Sequence, residues 1–306
     1  MTKVLIATVK PFASAAVNQI KETLDEAGYE YTFLEKYGSQ DDLINAVKDA
    51  DALIIRSDKV TREVLAAADK LKIVVRAGAG YDNVDLTAAS EKGVVVMNTP
   101  GQNSNAVAEL ALGMMVYQAR NHFNGTSGTE LKGKKLGIHA YGHVGRLVAN
   151  IAKGFGMEII AFDPFVPKET IEKDGVSVAQ SADEMYAACD YISLHIPANE
   201  QTKQSINYAL LSKMKKGATL VNTARKEVID EEGIVKIFEE NEGFKYVSDI
   251  APDNKDLLLD RFGDRCLFTP KKMGAQTAEA NINAGIAAAR QIIGFIEKGD
   301  TTYKVN

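Results

Sequence analysis

The densest chemistry in the sequence lies between residues 135 and 163. An apolar run, Leu136-Gly137-Ile138, leads into Ala140-Tyr141-Gly142-His143-Val144-Gly145, and a helical pattern follows. This is a G-x-G-x-x-G spacing with alanine in the first place. Gly142 lets backbone approach a pyrophosphate, and Gly145 lets the helix lie close to the strand. The free N–H groups of the helix start, with its dipole, hold the phosphate charge. Ala140 fits only if its φ is negative, because a Cβ disfavours the left-handed region. A second apolar run, 158–162, ends in Asp163. A carboxylate at that strand end can accept hydrogen bonds from both ribose hydroxyls of an adenosine. It repels a 2′-phosphate, which favours NAD over NADP. Tyr141, Gly142, His143, Val144, Gly145 and Asp163 are therefore candidate cofactor contacts.

Ligands of open α/β sheets sit beyond the carboxyl ends of the strands, and four further strand ends carry polar clusters. One is Ser193-Leu194-His195-Ile196-Pro197, with Thr202 shortly after. The second is Asn222-Thr223-Ala224-Arg225, the third Ser248-Asp249, and the fourth Thr269-Pro270-Lys271-Lys272-Met273-Gly274. The Arg225 guanidinium can grip a carboxylate with two hydrogen bonds and polarise an adjacent carbonyl; its plainer reading is a surface partner of Glu227. Asp249 can accept from a nicotinamide carboxamide, or serve as a cap or structural ion pair. His195 can close over a cofactor or be structural. Ile196, Pro197, Thr202, Thr223 and Ala224 complete the candidate cofactor contacts.

These positions need a frame, and the sequence describes one. Val4–Ala7, Ala52–Ile55, Ile73–Val75, Val94–Val96, Leu136–Ile138, Ile159–Phe162, Tyr191–Leu194 and Thr219–Val221 are short apolar runs bounded by turn residues. Strands buried on both faces read this way, and helical patterns separate them, so an α/β protein with parallel sheets is expected. Helices are expected over Ser14 to Ala27, Asn105 to Arg120 and Ala278 to Lys298. The second is apolar on nearly all sides and is read as a subunit-interface helix. Residues 121–128 form a polar, glycine-containing break.

The 306 residues are 45% hydrophobic and 25% charged, with net charge −5, which fits an ordered globular chain and gives no basic footprint for nucleic acid or anionic lipid. No apolar run is long enough to span a membrane. The two cysteines, Cys189 and Cys266, make neither metal spacing nor a disulfide framework. The first residues run straight into a strand without the features of a signal peptide, so a cytoplasmic protein is expected.

The residues resemble one family along essentially the whole chain, the NAD-dependent D-2-hydroxyacid dehydrogenases, and within it the phosphoglycerate branch in a short form without a regulatory domain. The matching segments are Ile55-Arg56-Ser57, Val75-Arg76-Ala77-Gly78-Ala79-Gly80, Asn98-Thr99-Pro100-Gly101-Gln102-Asn103-Ser104, Leu194-His195-Ile196-Pro197, Asn222-Thr223-Ala224-Arg225 and Gly274-Ala275-Gln276-Thr277. The resemblance implies two Rossmann-like doubly wound parallel-sheet domains. A cofactor domain, 99–283, is inserted into a substrate domain made of 1–98 and 284–306. It implies hydride transfer at C2 of 3-phosphoglycerate, a phosphorylated 2-hydroxy acid, giving 3-phosphohydroxypyruvate. Gly78 and Ala79 would offer N–H groups to the substrate carboxylate. Arg56, Ser57 and Asn103 would face its phosphate, and a homodimer would form through helix 105–120.

The chain departs from the family where the proton moves. The family's usual acid–base is a histidine in Thr-Pro-His, oriented by a glutamate shortly after the strand that holds Asp249. Here no histidine follows residue 195, and the matching place reads Thr269-Pro270-Lys271-Lys272. Lys271 takes the position counted forward from Pro270, and Lys272 takes it counted back from Gly274. Near the glutamate's place stands only Asp253. One lysine is expected to replace the imidazole, as a neutral base or as a charge that stabilises the developing alkoxide. The basic residues that often precede the fingerprint are also missing from 121–131. That leaves open glyoxylate or hydroxypyruvate reduction by the same chemistry, or a non-catalytic NAD(H)-sensing scaffold.

Overall fold

The computed structural model describes residues 1–306, and the chain divides into two compact units, residues 1–103 with 276–306 and residues 104–275. The second unit interrupts the first. Its far boundary lies ahead of the last helix, whereas a boundary at 283/284 would cut that helix.

The first unit runs β1 (Lys3–Thr8), α1 (Ser14–Glu26), β2 (Glu30–Glu35), α2 (Gln40–Ala46), β3 (Ala52–Ile55), α3 (Arg62–Ala67), β4 (Ile73–Arg76), α4 (Leu86–Glu91) and β5 (Val95–Asn98). The strands are all parallel in the order β2-β1-β3-β4-β5. β3 is buried throughout, and Ile73, Val74 and Val75 of β4 are buried too, as two covered faces require. β2 is the exception: at the sheet edge, EYTFLE alternates exposed and half-buried positions.

The second unit runs α5 (Ser104–Ala119), β6 (Lys135–His139), α6 (His143–Gly154), β7 (Glu158–Phe162), α7 (Lys168–Lys173), β8 (Ser177–Val178), α8 (Ala182–Ala188), β9 (Tyr191–Leu194), α9 (Tyr208–Leu211), β10 (Thr219–Asn222), α10 (Glu231–Glu240), β11 (Lys245–Ser248), α11 (Lys255–Phe262) and β12 (Cys266–Phe268). Its parallel sheet has the order β12-β11-β10-β9-β6-β7-β8. The order reverses between β9 and β6, the crevice where such sheets take ligands. α5 buries Ala108, Ala111, Leu112, Met114 and Met115 within this unit, and Leu110, Val116 and Tyr117 stay half-exposed. The polar break after it turns left-handed, with φ of 50, 55 and 56° at Asn121, His122 and Phe123.

The chain then returns to the first unit as α12 (Ala278–Lys298), capped by the Thr277 hydroxyl, which accepts from Ala280 N–H, and closed by Gly299 at φ 66°. Its buried Ala284, Ala288 and Ile292 share a core with Ala16, Ile20 and Leu24 of α1. No helix is long and apolar enough to cross a membrane.

Candidate functional site

Because the seven-stranded sheet is parallel, the carboxyl ends of β6, β7, β9, β10, β11 and β12 share one edge, and the candidates of the second unit follow them. At the switch point, Gly142 caps α6 with extended backbone. Arg146 N–H is the first of this helix to find a helical acceptor, on Gly142 O; the amides of Gly142, His143, Val144 and Gly145 have none in the chain. Four free N–H groups at a helix start form an anion site. A Cβ at Gly145 would overlap the Ala140 carbonyl oxygen, and a Cβ at Gly142 would meet nothing. The cradle therefore fits a pyrophosphate.

Ala140 corrects the expectation of a negative φ: its φ is +79°. Hydrogen bonds outweigh the Cβ penalty. Ala140 N–H donates to Phe162 O at 2.9 Å, and Tyr141 N–H donates to Asp163 Oδ2 at 2.8 Å. The other Asp163 oxygen accepts from Phe165 and Val166 N–H at 2.8 and 3.2 Å. Asp163 thus ties together the two loops around the crevice while remaining partly exposed, with lone pairs left for a diol. The Tyr141 side chain does not face that crevice. It is buried, and its hydroxyl donates to Asp174 Oδ2 at 3.2 Å. Burial, with the Asp174 carboxylate beside it, pushes this phenol up to about 12.

His195 follows β9, and its N–H donates to His139 O at 2.9 Å. Its Nε2 lies 3.0 Å from Ser193 Oγ, while Nδ1 of His139 lies 3.2 Å from the Tyr186 hydroxyl. Burial pushes His139 down to about 4, against the pull of Asp163. Burial and the neighbouring His139 push His195 down to about 3. Both rings are neutral at neutral pH. Ile196 is buried and Pro197 exposed. The Thr202 hydroxyl is spent within its own turn, donating to Pro197 O at 2.6 Å and accepting from Asn199 N–H at 2.9 Å.

Beyond β10, Asn222 shapes the turn, accepting from Ala224 N–H at 2.9 Å and donating to Arg225 O at 2.9 Å. Ala224 is buried, and the Thr223 hydroxyl is buried without a partner, a vacant bonding position that suits a polar ligand group. The Arg225 guanidinium makes one hydrogen bond, from Nη1 to Ala224 O at 2.9 Å, and no ion pair; Glu227 does not hold it. Most of its donors remain for a carboxylate.

Asp249, after β11, is fully buried, and its oxygens already have donors. Oδ1 accepts from Met273 N–H at 2.7 Å and Thr269 Oγ1 at 3.0 Å, and Oδ2 accepts from Gly274 N–H at 2.7 Å. Its place in the structure is to hold the loop that carries Lys271 and Lys272, both exposed. Asp253 does not face those lysines; it pairs with Lys226 Nζ at 2.5 Å.

In the first unit, Gly78 and Ala79 leave their amides without partners in the chain, as a carboxylate site requires. Gly78 has φ +148°, and a Cβ there would overlap Nη1 of Arg76. Arg76 is the residue that reading the sequence missed: only the neighbouring glycine amides were weighed, though a cation beside them was the signal. Ser57 is exposed and Asn103 half-exposed. Arg56 is more occupied than expected. Its Nη1 donates to Lys10 O and Pro11 O at 3.0 and 3.2 Å, its Nη2 donates to Asn281 Oδ1, and its plane lies over Phe12. The turn is held by buried Asp58, which accepts from Val9 N–H at 2.7 Å and the Tyr37 hydroxyl at 2.8 Å.

Comparison with known proteins gives the family and the fold. Residues 102–270 match the family model of the D-isomer specific 2-hydroxyacid dehydrogenase NAD binding domain. A crystal structure of cofactor (NAD+)-bound 3-phosphoglycerate dehydrogenase from Entamoeba histolytica superposes with a TM-score of 0.89 and 46% identity, covering 100% of this chain and 98% of that one. D-3-phosphoglycerate dehydrogenase of Methanocaldococcus jannaschii is 39% identical over 273 residues, 83% of this chain and 51% of its own length. Hydroxypyruvate reductase of Thermotoga maritima is 37% identical over 273 residues, 83% of this chain and 87% of its own. The chain spans about half the length of the curated phosphoglycerate dehydrogenases it matches.

Proposed function

The chain belongs to the D-isomer-specific 2-hydroxyacid dehydrogenases, with their NAD-binding domain, and from that premise we propose that it oxidises 3-phosphoglycerate to 3-phosphohydroxypyruvate, the opening step of serine synthesis. The observation that carries the reading is Arg225, an arginine at a strand tip with most of its donors unspent, on the same sheet edge as the dinucleotide cradle. NAD, when bound, supplies the hydride acceptor. Gly142 to Gly145, Asp163 and the Thr223 hydroxyl hold it. Arg225 binds the substrate carboxylate and draws charge onto the C2 oxygen. One of Lys271 and Lys272, two strands away at roughly 10 Å given strand spacing, takes the C2 hydroxyl proton or stabilises the oxygen as that proton leaves for water or the substrate phosphate. In the first unit, Gly78 and Ala79 carry free amides that suit a substrate carboxylate, with Arg76 beside them. The test is NADH formation at 340 nm from 3-phosphoglycerate and NAD. Turnover that falls at least 100-fold in Arg225→Ala is expected; no turnover of any 2-hydroxy acid, with NAD still bound, would leave the sensing scaffold as the reading.

Reduction of hydroxypyruvate or glyoxylate is the second reading. It is favoured by the bonds that already occupy Arg56 and by the Thermotoga maritima relative. Arg76→Leu and Arg56→Leu separate the two: a KM raised only for the phosphorylated substrate supports the first, and equal effects on both substrates support the second. The assembly we infer is a homodimer through α5, using half-exposed Leu110, Val116 and Tyr117; a monomer by light scattering would refute it. The cytoplasm is the inferred compartment, consistent with two buried free thiols that burial pushes up to about 12.

A further inference from the structure

The fingerprint loop carries an internal contradiction that its neighbours must resolve. Its first position needs a left-handed backbone, and the residue there has a Cβ. Ala140 at φ +79° carries the steric cost of a Cβ in the left-handed region, which glycine avoids. The loop would relax toward a negative φ if nothing held it, and its free amides would then turn away from a common anion.

Besides the Ala140 N–H bond to Phe162 O, what holds it is the next residue, fixed at both ends. The Tyr141 amide donates to Asp163 Oδ2 at 2.8 Å, and its hydroxyl donates to Asp174 Oδ2 at 3.2 Å. Asp174 is itself fixed. Its carboxylate accepts from Arg146 Nε at 3.1 Å, and its carbonyl accepts from Lys153 Nζ. Packing does not do this alone. The ring is buried in the core of the second unit, and its hydroxyl tip borders a pocket lined by Arg146, Asn150, Lys153 and Asp174. The hydroxyl bond fixes that tip.

We propose that Tyr141 is a positioning residue for the dinucleotide, anchored through Asp174 and Arg146, and that it replaces by a side-chain tether what the missing first glycine would give by conformational freedom. The residue never touches the cofactor through its side chain. It keeps the amides of Gly142 to Gly145 aimed at the pyrophosphate before NAD arrives. This rests on the NAD assignment and adds to it a cause particular to this chain.

A double-mutant cycle tests the tether. Tyr141→Phe, Ala140→Gly and the pair together are titrated with NADH by fluorescence, with steady-state kinetics and melting temperatures alongside. Tyr141→Phe weakens NADH about 5–20-fold in the native background and raises the KM for NAD without lowering kcat. In the Ala140→Gly background, where no strain is left to release, the same substitution costs less than about 2-fold. Equal weakening in both backgrounds, no weakening in the native one, or a lowered melting temperature with unchanged affinity would each overturn the tether. An unsubstituted chain that binds no NADH would overturn the cofactor assignment along with it.

Discussion

Two loops on the carboxyl edge of the seven-stranded sheet are held by the same device and serve different ends. After β6, residues 140–145 are tied by Asp163, which takes the Tyr141 amide and those of Phe165 and Val166. After β12, residues 269–274 are tied by Asp249, which takes the Met273 and Gly274 amides and the Thr269 hydroxyl. Asp163 is partly exposed and Asp249 fully buried. A carboxylate open to solvent can organise a loop and still accept from a ligand. A buried one with the same number of donors is closed to solvent and is spent first on its own loop. Each accepts three bonds, so what separates the pair is exposure, which the strand-end position alone does not reveal.

Substitution separates the two aspartates. Asp249→Ala leaves buried donors unsatisfied and is expected to destabilise the second unit by about 3–5 kcal/mol, read from the urea midpoint. Asp163→Ala is expected to cost only about 1 kcal/mol of stability, since water can reach its donors, but to weaken NADH about 10–100-fold. Comparable stability losses in the two variants would break the distinction.

Acid should act on the crevice before it acts on the rest. His139 and His195 stay neutral in the fold, at about 4 and about 3, against an ordinary 6.5. The unfolded chain therefore binds protons that the fold refuses. Their contribution is complete above about pH 6.5 and is lost as pH falls from there toward 4. At pH 5 the expected loss is at most roughly 2 kcal/mol per imidazole. Urea midpoints at pH 7.5 and pH 5 measure it, and His139→Gln should flatten the dependence; an unchanged slope would contradict the assignment. The smallest effect concerns strain. Ala140→Gly should raise stability by about 0.5–1 kcal/mol, the relief of a left-handed alanine less the extra freedom of glycine in the unfolded chain. A loss of stability would mean that the +79° backbone is not strained.

The buried strands were legible because burial on both faces writes continuous apolar runs such as Ala52–Ile55. The edge strand β2 was not, because one of its sides faces solvent and its run is broken by Glu30, Thr32 and Glu35. Gly142, Gly145 and Asp163 could be placed from spacing alone, since each is demanded by local backbone chemistry. The φ of Ala140 could not, because the bonds that force it come from Phe162 and Asp163 across the sheet. The bonds that occupy Arg56 could not be foreseen, because its partner Asn281 lies 225 residues away and is brought beside it only by α12. Nor does the sequence mark Asp58 as a buried acid, since its donors Val9 and Tyr37 come from distant segments.

The central claim is that a lysine on the loop held by Asp249 does the work usually given to an imidazole. The direct measurement is the pH–rate profile for oxidation of 3-phosphoglycerate by the native chain, Lys271→Ala, Lys272→Ala and the double variant. The account predicts a loss of at least 100-fold in kcat in one single variant and in the double, with any alkaline rise of the native profile abolished in that same variant. Near-native turnover in the double variant would contradict it.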